Sequence, residues 1–116
     1  MRSNYYLDFL IQIKKISVSG EAVLNDPICK QVLEEIAVAE RIAHPLTVSS
    51  VMRLRHVASP ATLHRKLDLL VRADLVCASF EGGNKRTKFM VLTDSGHKYF
   101  QKLSMLIESL KLSHSP

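Results

Sequence analysis

Between Thr47 and Leu92 the chain runs through two short helical patterns and then two strand patterns, and the turns joining them leave few ways to fold. Val57-Ala58-Ser59-Pro60 is a tight turn whose last two residues suit a helix N-cap and a first-turn proline. Glu81-Gly82-Gly83-Asn84-Lys85-Arg86 reads as a hairpin tip, because two glycines and an asparagine supply the positive φ angles of such a turn. This stretch carries eight Lys/Arg (Arg53, Arg55, Arg65, Lys66, Arg72, Lys85, Arg86, Lys88) against three acids (Asp68, Asp74, Glu81). The rest of the chain has eight of each sign, so the whole surplus of +5 sits here. Clustered cations draw nucleic acid through counter-ion release, so a polyanion-binding element in a neutral scaffold is expected.

At 116 residues, 47% of them hydrophobic, the sequence suits one domain spanning 1–116 around one modest core. No apolar run reaches the roughly 18 to 20 residues that cross a bilayer, and Lys14-Lys15 close the stretch Phe9 to Ile13, which has no signal cleavage site after it. A cytoplasmic protein without membrane contact is expected. Cys29 and Cys77 lie far apart with no metal-ligand spacing, so they read as reduced thiols packed as small hydrophobes. His44, His56, His64, His97 and His114 are scattered, and no HExxH, paired carboxylate or activated nucleophile occurs. Neither catalysis, a metal nor a cofactor is expected. Glu34-Glu35 reads as the wet face of a helix.

Residues 4–18 predict an N-terminal helix with Tyr6, Leu10, Ile13 and Ser17 on one stripe and Tyr5, Phe9 and Ile16 on another; such a helix needs more cover than one core gives. Asn25-Asp26-Pro27 starts a core helix, Asp26 as cap, in which Ile28, Val32, Ile36 and Ala39 recur until His44-Pro45. A short extended piece at 46–48 precedes a brief helix over 49–56. In the helix over 59–73, Leu63, Leu67, Leu70 and Val71 form the predicted buried side, and Ala61, Thr62, Arg65, Asp68, Leu69 and Arg72 face outward. Strands are predicted at 75–80 and 87–92, and a last helix over 94–112 is capped by Thr93 or Asp94. In that helix Phe100, Leu103, Ile107 and Leu110 recur at 3, 4, 3 spacing, which suits packing on the N-terminal helix in cis or across a dimer axis.

The predicted order is that of a winged helix-turn-helix, an α+β and mostly helical fold: a core at 26–92 with the helix-turn-helix at 47–73 and the wing at 75–92. The chain resembles the MarR-type family of bacterial winged-helix regulators on residues 46–76 (LTVSSVMRLRHVASPATLHRKLDLLVRADLV) and 81–100 (EGGNKRTKFMVLTDSGHKYF). Lys85-Arg86 falls where the family wing carries paired basic residues, and Leu92-Thr93 with Gly96 matches its Leu-Thr-x-x-Gly. The chain departs in having Gly82, Gly83 and Asn84 where the wing tip usually carries aspartate and arginine, in a short N-terminal helix, and in Asp74 at a common glycine position. Aspartate tolerates the left-handed backbone that such a position needs.

The resemblance implies a homodimer held by flanking N- and C-terminal helices, here through Tyr6, Phe9, Leu10, Ile13, Phe100, Leu103, Ile107 and Leu110. It implies sequence-specific binding of double-stranded DNA, most simply by a repressor, with helix 59–73 in the major groove. Ala61, Thr62 and Arg65 are then the base-contacting candidates, Arg65 forking onto a guanine. Arg53, Arg55, Ser59, His64 and Lys66 would meet the DNA backbone, and the wing residues Asn84, Lys85, Arg86 and Lys88 the minor groove or its phosphates. Some family members release DNA on binding a small phenolic or lipophilic effector between the dimer helices and the winged domains; no residue here identifies one. The alternative is a winged-helix protein-interaction module, towards which an outward Leu69 and the neutralising Asp68 lean.

Overall fold

The computed structural model describes residues 3–16, 21–80 and 86–113. Among the described residues nine elements follow in order: α1 (Tyr5–Ile13), α2 (Glu21–Leu24), α3 (Pro27–Arg41), β1 (Leu46–Thr47), α4 (Val48–Met52), α5 (Pro60–Arg72), β2 (Val76–Ser79), β3 (Phe89–Leu92) and α6 (Asp94–Ser113). Helices 3 to 5 and a three-stranded antiparallel sheet of order β1-β3-β2 make up a winged helix-turn-helix. The sheet registers Leu46 against Met90 and Val76 against Leu92.

Each helix of the core begins where its sequence supplies a cap. Asp26 Oδ1 accepts the Ile28 and Cys29 amides at 2.8 and 3.3 Å, Thr47 Oγ1 accepts Ser50 N at 3.1 Å, and Ser59 Oγ accepts Thr62 N at 3.4 Å. Two helices also end alike. At α3, His44 N donates to Ala39 O and Ala43 N to Glu40 O; at α5, Leu75 N donates to Leu70 O and Asp74 N to Val71 O. Both are Schellman closures, in which the residue after the C-cap turns left-handed. Ala43 (φ 64°) and Asp74 (φ 60°) take that conformation without being glycine.

The core is shared among α3, α4, α5 and the sheet. Val32, Leu33, Ile36, Val51, Leu63, Leu70, Leu75 and Val76 are essentially sealed from solvent, with Cys29, Leu67, Met90, Leu92 and Tyr99 around them. Each such aliphatic side chain contributes about 1.5–3 kcal/mol relative to exposure, which is what fixes α5 against α3.

Several boundaries differ from the sequence reading. Helix α1 ends at Ile13, five residues short of the expected 18, of which 17 and 18 lie outside the described residues; it has no buried residue of its own and lies along α6. A short α2 forms where no element was expected, and α4 stops at Met52, because Arg53 N already closes on Ser50 O and Val51 O. Val71 is 44% exposed, not buried: α5 meets α3 along Leu63, Leu67 and Leu70, and Val71 falls at the rim of that stripe. Glu34 and Glu35 lie on a solvated face as expected, Glu35 in an exposed contact with His56 Nε2 at 3.2 Å. The C-terminal helix turns Tyr99 into the core, a residue outside the predicted 3, 4, 3 stripe; burial, with Glu34 nearby, pushes its hydroxyl pKa up.

Candidate nucleic-acid interface

Helix α5 owes its placement to two opposed faces. Leu63, Leu67 and Leu70 anchor one side in the core, and this leaves Ala61, His64, Arg65, Asp68, Leu69 and Arg72 exposed on the other. Asp68 and Arg72 form an i,i+4 ion pair at 3.8 Å, which offsets the charge of the last turn. Arg65 stands one turn nearer the N-terminus and is exposed. Thr62 is half-buried, and its hydroxyl accepts from Ser59 Oγ at 3.1 Å, so the N-cap and the neighbouring candidate base contact are joined before any ligand arrives. Arg53 and Arg55 are exposed in the turn before α5.

Lys66 departs from the expected backbone contact. Its ammonium lies 2.5 Å from Asp26 Oδ2, and its side chain is only 18% exposed. The reason is helical phase: one residue past Arg65, the side chain swings about 100° towards α3, where Asp26 already caps the helix start. The Lys66 hydrogen bond, aided by the Cys29 and Ile28 amides against the opposing cost of burial, holds the Asp26 carboxyl below its usual range. Cys29 sits beneath this pair, and burial, then the nearby Asp26 charge, pushes its thiol up.

The hairpin following α5 is tied to it by the Leu92-Thr93-x-x-Gly96 segment. Thr93 N donates to Leu75 O at 3.1 Å, Thr93 Oγ1 donates to the Asp74 carbonyl, and the same hydroxyl accepts Gly96 N at 3.1 Å. A Cβ at Gly96 would collide with the Leu75 carbonyl oxygen, so this close approach of α6 to the end of α5 requires glycine. Glu40 adds a second tie: its carboxylate accepts Leu92 N at 3.3 Å and lies 3.4 Å from His97 Nε2.

At the wing, Arg86 and Lys88 are exposed. Asn84 and Lys85, with Glu81 to Gly83, lie outside the described residues. Of the flanking-helix residues expected at a dimer contact, Phe100 and Leu103 are partly buried and pack against the chain's own core. Tyr6 and Ile107 stay exposed, and with Tyr5, Phe9, Leu110 and Lys111 they line an apolar groove of about 500 Å³ between α1 and α6. Asp26, Glu40 and Phe80 were not singled out as site residues in the sequence. Only Asp26 left a signal, as the cap of Asn25-Asp26-Pro27.

The winged helix-turn-helix fold is shared with solved structures. The structure is similar to that of RV1404 from Mycobacterium tuberculosis, with a TM-score of 0.56 and 15% identity over 94% of this chain and 74% of that one. It is also similar to Staphylococcus aureus MarR in complex with salicylate and kanamycin, with a TM-score of 0.51 and 21% identity over 81% of this chain. In that comparison the chain spans 62% of the length of the staphylococcal protein. No family model matches the sequence, and no curated protein is significantly similar to it.

Proposed function

We propose that the protein is a sequence-specific, double-stranded DNA-binding transcription regulator, acting as a cytoplasmic homodimeric repressor and carrying no catalytic site. The observation that carries this reading is the division of α5. Three leucines fix one side in the core, while Ala61 and Arg65 stand outward near the capped N-terminus. A rigidly held helix with a small residue and an arginine on its free face fits the major groove, where a bidentate arginine discriminates guanine. Thr62 supports a base or backbone contact through the hydroxyl chain it shares with Ser59. Arg53, Arg55, Ser59 and His64 would meet phosphates, and Lys85 with Asn84 would extend the wing contact. Lys66 has no part in it.

Dimerisation is supported by the apolar residues that α1 and α6 leave uncovered, among them Tyr5, Tyr6, Leu7, Ile11, Met105 and Ile107. A second copy joined along these helices would carry two α5 helices to a two-fold operator. The staphylococcal neighbour is in complex with salicylate and kanamycin, which supports a small-molecule effector for this chain as well. A second reading, a protein-interaction module, draws on Leu69 and Val71, 38% and 44% exposed on α5.

Fluorescence anisotropy with a pool of mixed duplexes, followed by selection of the bound fraction, separates the two readings. A regulator binds duplex DNA with a steep salt dependence and enriches a two-fold sequence; an interaction module does neither.

A further inference from the structure

Tyr99 carries into the core a hydroxyl that the fold leaves without a partner. The side chain is 5% exposed, and its ring meets Phe100 edge-on with centroids 5.1 Å apart. The hydroxyl makes no hydrogen bond among the described residues, yet it is not sealed, and a pocket of about 220 Å³ opens beside it where α1, α2 and α3 approach α6. Buried polar groups are nearly always paired, so this hydroxyl calls for a group that the chain does not supply. Four of the seven residues lining the pocket are donors: Lys14 at the end of α1, Asn25 before α3, Lys30 near the start of α3, and Tyr99. Among the described side chains no carboxylate lines it, and neither ammonium has a carboxylate partner. Glu34 reaches Tyr99 through its charge, from a turn further along α3, so two cations stand against one acid.

A tetrahedral phosphate presents three acceptor oxygens in different directions, which donors arriving from α1, α3 and α6 can share; a planar carboxylate presents two. The lining is too polar for a phenolic or lipophilic ligand, and the volume lies below the roughly 300 Å³ at which sites for larger molecules begin. We propose that this pocket binds a compact phosphate monoester. Lys14, Lys30, Asn25 and the Tyr99 hydroxyl hold the phosphate, and its few carbons lie on Ile13 and Leu24. An occupied pocket ties the end of α1 to the start of α3 and to α6, and so fixes the flanking helices on the winged core. This names the chemical class of the small-molecule effector proposed above, and it rests on that reading for its consequence on DNA, while binding itself does not depend on it.

The test melts the full chain with ethyl phosphate, succinate or salicylate at matched ionic strength, each variant referred to its own ligand-free melt, and reads affinity from the shift of the midpoint with ligand concentration. Ethyl phosphate is expected to raise the midpoint more than the other two. Lys30→Gln and Tyr99→Phe are each expected to weaken its binding about tenfold, the loss of one charge-assisted hydrogen bond, and Tyr99→Phe keeps the ring that packs on Phe100. Lys98→Gln, outside the pocket, should bind as the parent does. No shift in the parent chain, or a shift that both pocket variants retain in full, overturns the site. Tighter binding of succinate or salicylate through the same two residues overturns the phosphate assignment, and binding of ethyl phosphate that leaves the affinity for duplex DNA unchanged overturns the effector role. If ethyl phosphate binds through Lys30 and Tyr99 while the chain does not bind duplex DNA at low salt, the regulator reading falls and the site stands.

Discussion

Asp26 and Lys66 meet across forty residues of sequence, the carboxylate of the first capping α3 with one oxygen and holding the ammonium of the second, from α5, with the other. One side chain thus fixes both the start of the core helix and the rotation of the helix that carries Arg65. Replacing Asp26 with alanine removes a cap and leaves a half-buried ammonium unpaired. A loss of about 1–2 kcal/mol is expected in urea denaturation at neutral pH, with Lys66→Met costing less because it also removes the charge.

The same pair sets an acid limit. Asp26 titrates below its ordinary value in the folded chain, so between the two values the unfolded chain binds more protons and stability rises with pH. The contribution is complete above the unfolded carboxylate value of about 4 and disappears as pH falls through the folded one. Denaturation curves collected from neutral pH downward should therefore show a gap between the parent chain and Asp26→Asn that closes in acid. A gap that stays constant would contradict the assignment.

Gly96 and Ala43 should respond in opposite directions. Gly96→Ala drives a methyl group into the Leu75 carbonyl at a junction with little freedom to move, and a loss of about 3 kcal/mol is expected. Ala43 already occupies a left-handed backbone at an exposed site, so Ala43→Gly should raise stability by about 0.5–1 kcal/mol even though it adds a glycine. Thermal melts of the two variants decide both.

The thiols differ in access. Cys77 is exposed on β2, whereas Cys29 is fully buried, with its thiol pKa raised by that burial. A native protein treated with an aromatic disulfide reagent should release one equivalent promptly and the second only on unfolding. Two prompt equivalents would mean that the α3 end opens readily.

Tyr6 and Ile107 lie on the uncovered sides of α1 and α6. Tyr6→Lys with Ile107→Glu should therefore leave the melting temperature of a protomer nearly unchanged while lowering the mass seen by sedimentation to that of a single chain. If the parent chain already sediments as a monomer at tens of micromolar, the two-fold operator argument is lost.

Much of this architecture was legible in the amino-acid order because local rules and global packing agree there. Asp26-Pro27 and Ser59-Pro60 start helices wherever they stand, and the leucines of α5 recur at a spacing that only one helical face can gather. The left-handed turn at Asp74 was likewise open to inference, since a short polar side chain tolerates it. The wing strands followed from composition and from the turn residues between them.

What tertiary structure alone decided concerns partners distant in the chain. Arg65 and Lys66 are chemically alike and adjacent, yet one faces solvent and the other is bound to Asp26, because the answer depends on where the start of α3 lies relative to α5. Val71 has the right periodicity for burial, but the contact with α3 is narrower than the apolar stripe, and so it stays outside. Gly96 stood out in the sequence through its Leu-Thr-x-x-Gly match, but why glycine is needed there comes only from the approach of the Leu75 carbonyl. Amino-acid order set which helices and strands form through short-range geometry, and three-dimensional packing chose which of their charges remain free for a ligand.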